Sequence, residues 1–411
     1  MVLKIELDKL VHGAKAIGRW KNKTVFVAGG LPNEEVRVEV IREKSRTMEA
    51  RLVEIVRPSV DRVPPRFKPA DIPVANFQHI TYPVQLLHKE DIVRDQMTRI
   101  GKLDRVPIRP IRGNPNPWAY RIETTLSPVK DGGLGYWSPS QRAVVPVKKC
   151  DVLHPRIQQI MKGIDFDFPD LRKLTLRVGS DGEVLLVFAT NDAEPPDIEI
   201  DFPVSVAIVM PDGVSATLIG EPFLVQTVRE QDFRVSAGSF FQPSIEGAGL
   251  LVDTILSLAD LEGDETVLEL FSGVGMLTAF LAMRAKEVIG IEKNPDSIED
   301  AAVNLDKTEN VALYNDWVED ALPNIEVSPD LAVIDCGDAG ISAEALHYLL
   351  EKAPPRILVS TPNIALAAQL AQPLEEAGYQ LQTIQPIDLL PQTYHVHTVS
   401  LWAKKARRRH R

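Results

Sequence analysis

The chain has 411 residues, 44% hydrophobic and 25% charged, with 46 Lys and Arg against 57 Asp and Glu for a formal net charge of −11. That length exceeds one ordinary core and implies two or three domains, and the composition is that of a globular protein rather than a disordered or fibrous one. No apolar run reaches the roughly eighteen residues of a membrane span, and the acidic balance argues against indiscriminate binding of phosphate backbones.

The opening MVLKIELDKL lacks the basic-then-apolar order of a signal peptide. Cys150 and Cys336 are the two cysteines, too few for a disulfide framework or a metal site of their own. Both features predict a cytoplasmic location. The charge is uneven: residues 1–60 hold twelve Lys and Arg against eight Asp and Glu, and the last eight residues, KKARRRHR, contain no acid. The distribution leaves room for an RNA-binding end within an acidic chain, and the tail reads equally as a solvated terminus.

In chain order, KIELDKL, TVFVAGGL, EEVRVEVI and EARLVEIV each alternate polar and apolar residues, with glycines and Asn33 between them. Four or five such strands within residues 1–58 predict a small closed barrel. RPSVDRVPPRFKPADIPV is dense in proline and reads as a linker. A helix is expected from about Pro83 to Lys102, with Val84, Leu87, Ile92 and Met97 among its apolar positions. The stretch up to residue 237 is mixed and strand-rich, with a hairpin in KLTLRVGSDGEVLLVFAT turning at Gly179–Gly182. From 238 a helix (about 246–260) leads into VLELFSGVG, VIGIEKN, LAVIDCG, RILVSTP and VSLWAKK, short buried strands that alternate with helical stretches. That alternation predicts an open, mainly parallel sheet with helices on both faces.

The chemistry concentrates at the ends of these strands. In VLELFSGVG, Glu269 closes a strand that runs into Gly273-x-Gly275 ahead of a helix. Glycines there let a ligand approach the backbone closely at the carboxyl edge of the sheet. Glu292 ends the next strand, nineteen residues after Gly273, where an acid can accept both ribose hydroxyls of a nucleoside cofactor. No third glycine follows, so S-adenosylmethionine, which has no pyrophosphate, suits the loop better than a dinucleotide.

With these residues in place, the chain resembles the RNA uridine-C5 methyltransferases, which modify uracil in transfer and ribosomal RNA. HGAKAIGRW, TVFVAGGLPNEEV and RPSVDRVPP resemble the family's TRAM domain, an OB-like RNA-binding barrel. QHITYPVQLLHK resembles the segment after its iron–sulfur cysteines; AYRIE and KKCDVL resemble central-domain landmarks; SFFQPS, LELFSGVGMLT and GIEKNPDSIEDAAVN resemble the cofactor site. The resemblance implies an α/β fold: a TRAM-like barrel (1–58), a mixed α+β central domain (59–237), a class I, Rossmann-like methyltransferase domain (238–403) and a basic tail (404–411). It implies S-adenosylmethionine held by Gln242, Glu269, Gly273, Gly275, Glu292 and Asp316, with Asp335 facing the target base, and ribosomal or transfer RNA as the partner.

The departures from the family all fall in its catalytic and cluster motifs. Arg66, Ile72 and Ala75 stand where three cluster cysteines would precede the QH segment, leaving Cys150 alone, so no iron–sulfur cluster is expected. After Asp335 the family continues with two prolines and an arginine, whereas this chain reads CGDAG and puts an anion, Asp338, on the RNA path. Cys336 reads as a small core residue rather than a replacement nucleophile. The family's serine, cysteine, asparagine, proline becomes Ser360, Thr361, Pro362, Asn363, so Thr361 takes the place of the thiolate that adds to uracil C6. His397 takes the place of the glutamate that removes the C5 proton.

An alcohol needs a strong adjacent base to act as a thiolate does. Thr361 and His397 could form such a pair, but elimination of an alkoxide would still oppose turnover. The reading is an S-adenosylmethionine-dependent RNA methyltransferase that does not use the cysteine adduct. A catalytically inactive RNA-binding protein and a small-molecule methyltransferase are the alternatives.

Overall fold

A computed structural model describes residues 1–68, 72–130, 132–138, 141–164, 170–191, 203–211 and 215–405. The expected basic tail therefore lies mostly outside the described residues. The N-terminal alternation becomes five strands, β1 (Val2–Val11), β2 (Lys15–Trp20), β3 (Lys23–Ala28), β4 (Glu35–Glu43) and β5 (Thr47–Arg57). They close into a barrel in the order β1-β2-β3-β5-β4, with β4 returning antiparallel to β1. The inward halves of the alternation, including Leu3, Ile5, Leu7, Val25, Val27, Val36 and Val38, fill its interior.

The proline-rich segment is anchored at several points, although Val60, Pro64, Pro65 and Arg66 between them are exposed. Arg62 reaches back to both carboxylate oxygens of the buried Glu34, at 2.5 and 2.9 Å, and to the Gly29 carbonyl. Phe67, Ile72 and Val74 sink into the core of the central region. The prolines signalled irregular backbone, and the residues between them pin it to the barrel and to the central core.

The helix α1 (Tyr82–Arg99) opens with Pro83 in its first turn, where a missing N–H costs nothing. Its buried side is not the expected apolar stripe. Gln85, Lys89 and Gln96 are buried beside Ile92, Val93 and Met97, while Leu87 is 60% exposed. The helix ends at Arg99 with Ile100 as its C-cap, short of Lys102, whose φ is +55°.

A central seven-stranded sheet follows: β6 (Glu123–Pro128), β7 (Leu134–Ser138), β8 (Ala143–Pro146), then α2 (Pro155–Gly163), and β9 (Leu171–Val178), β10 (Val184–Thr190), β11 (Ser205–Val209), β12 (Ser215–Ile219). Its order is β12-β11-β10-β9-β6-β7-β8, and β9 and β10 form the expected hairpin with Gly182 at φ +88°. A separate hairpin, β13 (Phe223–Val228) and β14 (Gln231–Ser236), leads into the C-terminal unit.

That unit runs α3 (Ile245–Ala259), β15 (Thr266–Leu270), α4 (Met276–Ala282), β16 (Glu287–Glu292), α5 (Pro295–Asn304), β17 (Val311–Asn315), α6 (Val318–Ala321), β18 (Leu331–Asp335), α7 (Ala343–Lys352), β19 (Arg356–Thr361), α8 (Ile364–Glu376), β20 (Tyr379–Ile387) and β21 (His397–Lys404). The sheet order is β17-β16-β15-β18-β19-β21-β20, the first five strands parallel and β21 antiparallel to both its neighbours. The order reverses at β15, and in open α/β sheets a crevice forms at the carboxyl ends of the strands around such a point. Residues of α3 and α4 pack on one face; α7, α8 and α1 pack on the other. Although α1 precedes the central sheet in sequence, its apolar side chains belong to this C-terminal core. No helix among the described residues is long and apolar enough to cross a membrane.

Candidate functional site

Three neighbouring strands deliver three acids to one crevice. Glu269 lies near the end of β15, Glu292 ends β16 and Asp335 ends β18. After β15 the chain turns through Phe271 at φ +65°, Gly273 at +56° and Gly275 at +80°. The two glycines serve different ends. A side chain at Gly275 would press on Leu305 at 2.9 Å and Ala301 at 3.3 Å, so its absence lets α4 and α5 close up. Nothing lies within 4 Å of where a side chain at Gly273 would start, which leaves that backbone open to a ligand.

The Gly273 N–H donates to Glu292 Oε2 at 3.1 Å and the Asn294 N–H donates to Oε1 at 2.7 Å. Both carboxylate oxygens are thus aimed before any ligand arrives. Ser272, which sequence reasoning passed over, is 94% buried at the same turn, and its hydroxyl has no partner. Most buried polar atoms have a partner, so an unpaired hydroxyl on the wall of the crevice is available to a bound ligand.

The opposite wall is the SFFQPS segment, held by residues that no local pattern marks. The Asp300 carboxylate on α5 accepts from the Ser236 N–H (2.7 Å), the Ser236 hydroxyl (2.6 Å) and the Ser239 hydroxyl (2.6 Å). Arg177 of β9, itself buried, donates to the Ser236 and Ser239 carbonyls at 2.9 and 3.0 Å. This clamp places Phe241 in the core, Phe240 on the rim and Gln242 on the wall of the crevice.

On the acceptor side, parallel pairing sets Ser360 of β19 beside Asp335. The Ser360 hydroxyl donates to Asp335 Oδ1 at 2.6 Å and lies 2.8 Å from His397 Nε2. Thr361 is turned the other way, as successive residues of a strand must be. It is fully buried, donates to the Gly337 carbonyl at 2.8 Å and accepts from the Asn363 N–H at 3.1 Å. Its hydroxyl is committed to the backbone, so the pair that forms is Ser360–His397 rather than Thr361–His397.

The pocket bounded by these walls is about 580 Å³, within the range of small-molecule sites. Gln242, Glu269, Gly273, Glu292, Asp335 and His397 line it; Gly275, Asp316 and Thr361 do not. Asp316 is exposed, accepting from the Trp317 N–H, and Trp317 carries the Lys293 ammonium 3.6 Å above its ring.

Burial pushes the Glu269 carboxyl up to about 8; the Thr278 hydroxyl, donating at 2.7 Å, opposes the rise, and the nearby charges of Asp335 and Glu292 add to it. Burial likewise raises Asp335 to about 6, against the Ser360 hydrogen bond. The folded protein therefore holds these protons more tightly than the unfolded chain. Their stabilising contribution is complete below about pH 4 and is lost as pH rises through 6 and then 8. His395 and His397, lowered by burial to about 4 and 3, act in the opposite sense and cost stability below their ordinary range. Glu269→Gln, which keeps the shape without the charge, is expected to raise the melting temperature by about 5 °C at pH 8.5 and hardly at all at pH 5. Thermal melts at the two pH values check this; equal gains at both would assign the effect to packing instead.

At the positions of the family's cluster cysteines the buried packing is apolar. Ile72, Ala75 and Cys150 lie in one buried core, and Arg66 stacks on Trp118 with its guanidinium carbon 4.1 Å from the ring centre. Burial raises the Cys150 and Cys336 thiols to about 12, so neither is a thiolate near neutral pH. Among the described residues no group of three or more His, Cys, Asp or Glu is placed to hold a metal ion.

No family model matches the chain. It is 32% identical to a protein of Bacillus cereus described as an uncharacterized RNA methyltransferase, the match covering 97% of this chain and 96% of that one. It is 29% identical to an uncharacterized RNA methyltransferase of Thermosynechococcus vestitus, over 97% of each chain. Among solved structures, the tRNA (uracil-54, C5)-methyltransferase of Pyrococcus abyssi in complex with S-adenosyl-L-homocysteine superposes with a TM-score of 0.73 at 22% identity, covering 98% of this chain and 100% of that one. The three-part architecture is thus a methyltransferase fold with an N-terminal barrel.

Proposed function

This chain belongs to the RNA methyltransferases, and from that premise we propose that it moves the methyl group of S-adenosylmethionine onto an RNA nucleotide without a cysteine adduct. The observation that carries the reading is the contrast between the two ends of one pocket. Its cofactor end keeps an oriented carboxylate, Glu292, and an open glycine backbone; its acceptor end has no thiol and a threonine hydroxyl already committed to the backbone.

The residues present suit S-adenosylmethionine. Glu292 would accept from the ribose hydroxyls, the open Gly273 backbone would admit the cofactor, and the unpartnered Ser272 hydroxyl and Gln242 would supply further polar contacts. The cofactor, when bound, supplies an electrophilic methyl group on a sulfonium. The chain's own part is to orient the acceptor, exclude water and remove a proton where the acceptor carries one.

RNA as the substrate is supported by how the barrel meets the pocket. His12, in the turn between β1 and β2, packs edge-on against Tyr394 at 5.3 Å, and Tyr394 stacks on His395 at 4.2 Å. His395 lines the pocket, so RNA lying on the barrel would lead straight to its mouth. Ribosomal or transfer RNA would supply the target.

The test is to incubate the protein with methyl-labelled S-adenosylmethionine and RNA from a strain deleted for it, then separate the nucleosides. Label is expected in a nucleoside other than 5-methyluridine. Label in 5-methyluridine would overturn the reading of Thr361, and absence of label in any nucleoside would overturn the activity.

A further inference from the structure

The same pocket holds a polar chain in which Ser360 links Asp335 to His397. Asp335 and His397 both face the acceptor end, and Ser360, fully buried behind them, touches both: 2.6 Å to Asp335 Oδ1 and 2.8 Å to His397 Nε2. A hydroxyl carries one proton and cannot donate in both directions. With Asp335 ionised, Ser360 donates to the carboxylate, so His397 must donate from Nε2. Its other nitrogen, Nδ1, is then bare, and it has no hydrogen-bond partner among the described residues. The pocket is thus offered two acceptors, a carboxylate and an imidazole lone pair.

We infer that Ser360 ties Asp335 and His397 into one proton-accepting unit, and that the acceptor it serves is a nucleobase N–H rather than a carbon or a ribose hydroxyl. The inference rests on the reading that the chain methylates RNA. A carbon acceptor of the uracil type needs covalent activation, and the thiol for that is missing. A ribose hydroxyl is a weaker acid than a base imide and would require a stronger base than a buried, neutral imidazole. An N–H edge matches two acceptors directly. In the transfer, the acceptor N–H bond breaks as N–CH3 forms, the donor's S–CH3 bond breaks, and the donor is left a neutral thioether. The proton passes to His397 Nδ1, the Nε2 proton moves to the Ser360 oxygen, and the Ser360 proton moves to Asp335. The charge ends on the carboxyl rather than as a buried imidazolium, consistent with burial lowering His397 and raising Asp335.

Two measurements test it. Nitrogen NMR of histidine-labelled protein, with His397 assigned through its loss in His397→Gln, is expected to show the proton on Nε2 and a bare Nδ1. A proton on Nδ1 would overturn the unit. Ser360→Ala is expected to lower methyl transfer to RNA about tenfold or more, while S-adenosylmethionine binding stays unchanged, and Ser360→Thr is expected to recover most of the loss. Full activity in Ser360→Ala would overturn the role of Ser360. The labelled product should be an N-methylated base; a 2′-O-methyl product would overturn the acceptor class and leave the RNA methyltransferase reading standing. If wild-type protein labels no RNA, that reading fails, while the NMR result still decides the unit.

Discussion

Glu292→Ala is expected to weaken S-adenosylmethionine binding about 100-fold, measured by calorimetry on the purified protein. The magnitude follows from two charge-assisted hydrogen bonds to ribose hydroxyls, each contributing about 1.5 kcal/mol or more, which together come to roughly 3 kcal/mol. The side chain also organises its own surroundings. Its oxygens hold the N–H groups of Gly273 and Asn294, so removing it frees both the glycine turn and the start of α5. Asn294 in turn caps α5 and donates to the Gly238 carbonyl beside SFFQPS, so the loss should spread to the Gln242 wall. Asp316→Ala is the informative partner experiment. Asp316 is exposed, outside the pocket lining, and bonded through its carboxylate to the next residue's N–H. It should change affinity less than about threefold. Equal losses in the two variants would place the cofactor differently, across the β17 edge of the sheet.

What was legible in the sequence, and what was not, divides along one line. Glu269, Glu292 and Asp335 could be found because each follows a short apolar run, and a parallel sheet sends the ends of such runs to one edge. The glycines announced the turn. The barrel could be found because a period of two survives over most of β1 and β3 and the first halves of β4 and β5, and the bulges that interrupt it are local. Ser360 was hidden by its neighbour: a motif comparison fixes on the substituted position, Thr361, and cannot show which of two adjacent strand residues faces the site. Register decides that, and register sets Ser360 beside Asp335. Asp300 and Arg177 were hidden for another reason. Each is a polar residue whose partners lie about sixty positions away, so nothing local marks it as buried. The phase of α1 failed in the same way: hydrophobicity predicted an apolar face, but the helix buries a glutamine and a lysine because another loop needs their hydrogen bonds.

That loop sets the second large effect. Lys89→Ala is expected to destabilise the protein by about 3–5 kcal/mol, because it leaves the Asp388 carboxylate buried and uncompensated. Lys89 and Asp388 are both fully buried and 2.5 Å apart, and Lys89 also donates to the Leu390 carbonyl at 3.2 Å. One turn earlier on α1, Gln85 exchanges hydrogen bonds with Gln392, at 2.8 and 3.0 Å. Together they fasten residues 388–392 to α1; this segment supplies Leu389 and Leu390 to the pocket, and the residues after it supply Thr393 and His395 before the chain enters β21 at His397. A loss of that size is a large fraction of the usual 5–15 kcal/mol of net stability and should lower the melting temperature by roughly 5–10 °C. The double variant Lys89→Met with Asp388→Leu should recover most of the melting temperature, since replacing both charges removes the desolvation cost along with the attraction. Methyl transfer should not recover with it, because an apolar pair fills the space without fixing the direction of the loop. If activity returned in step with stability, the ion pair would be a packing element only, and the placement of His397 would have to come from the strand pairing of β21 alone.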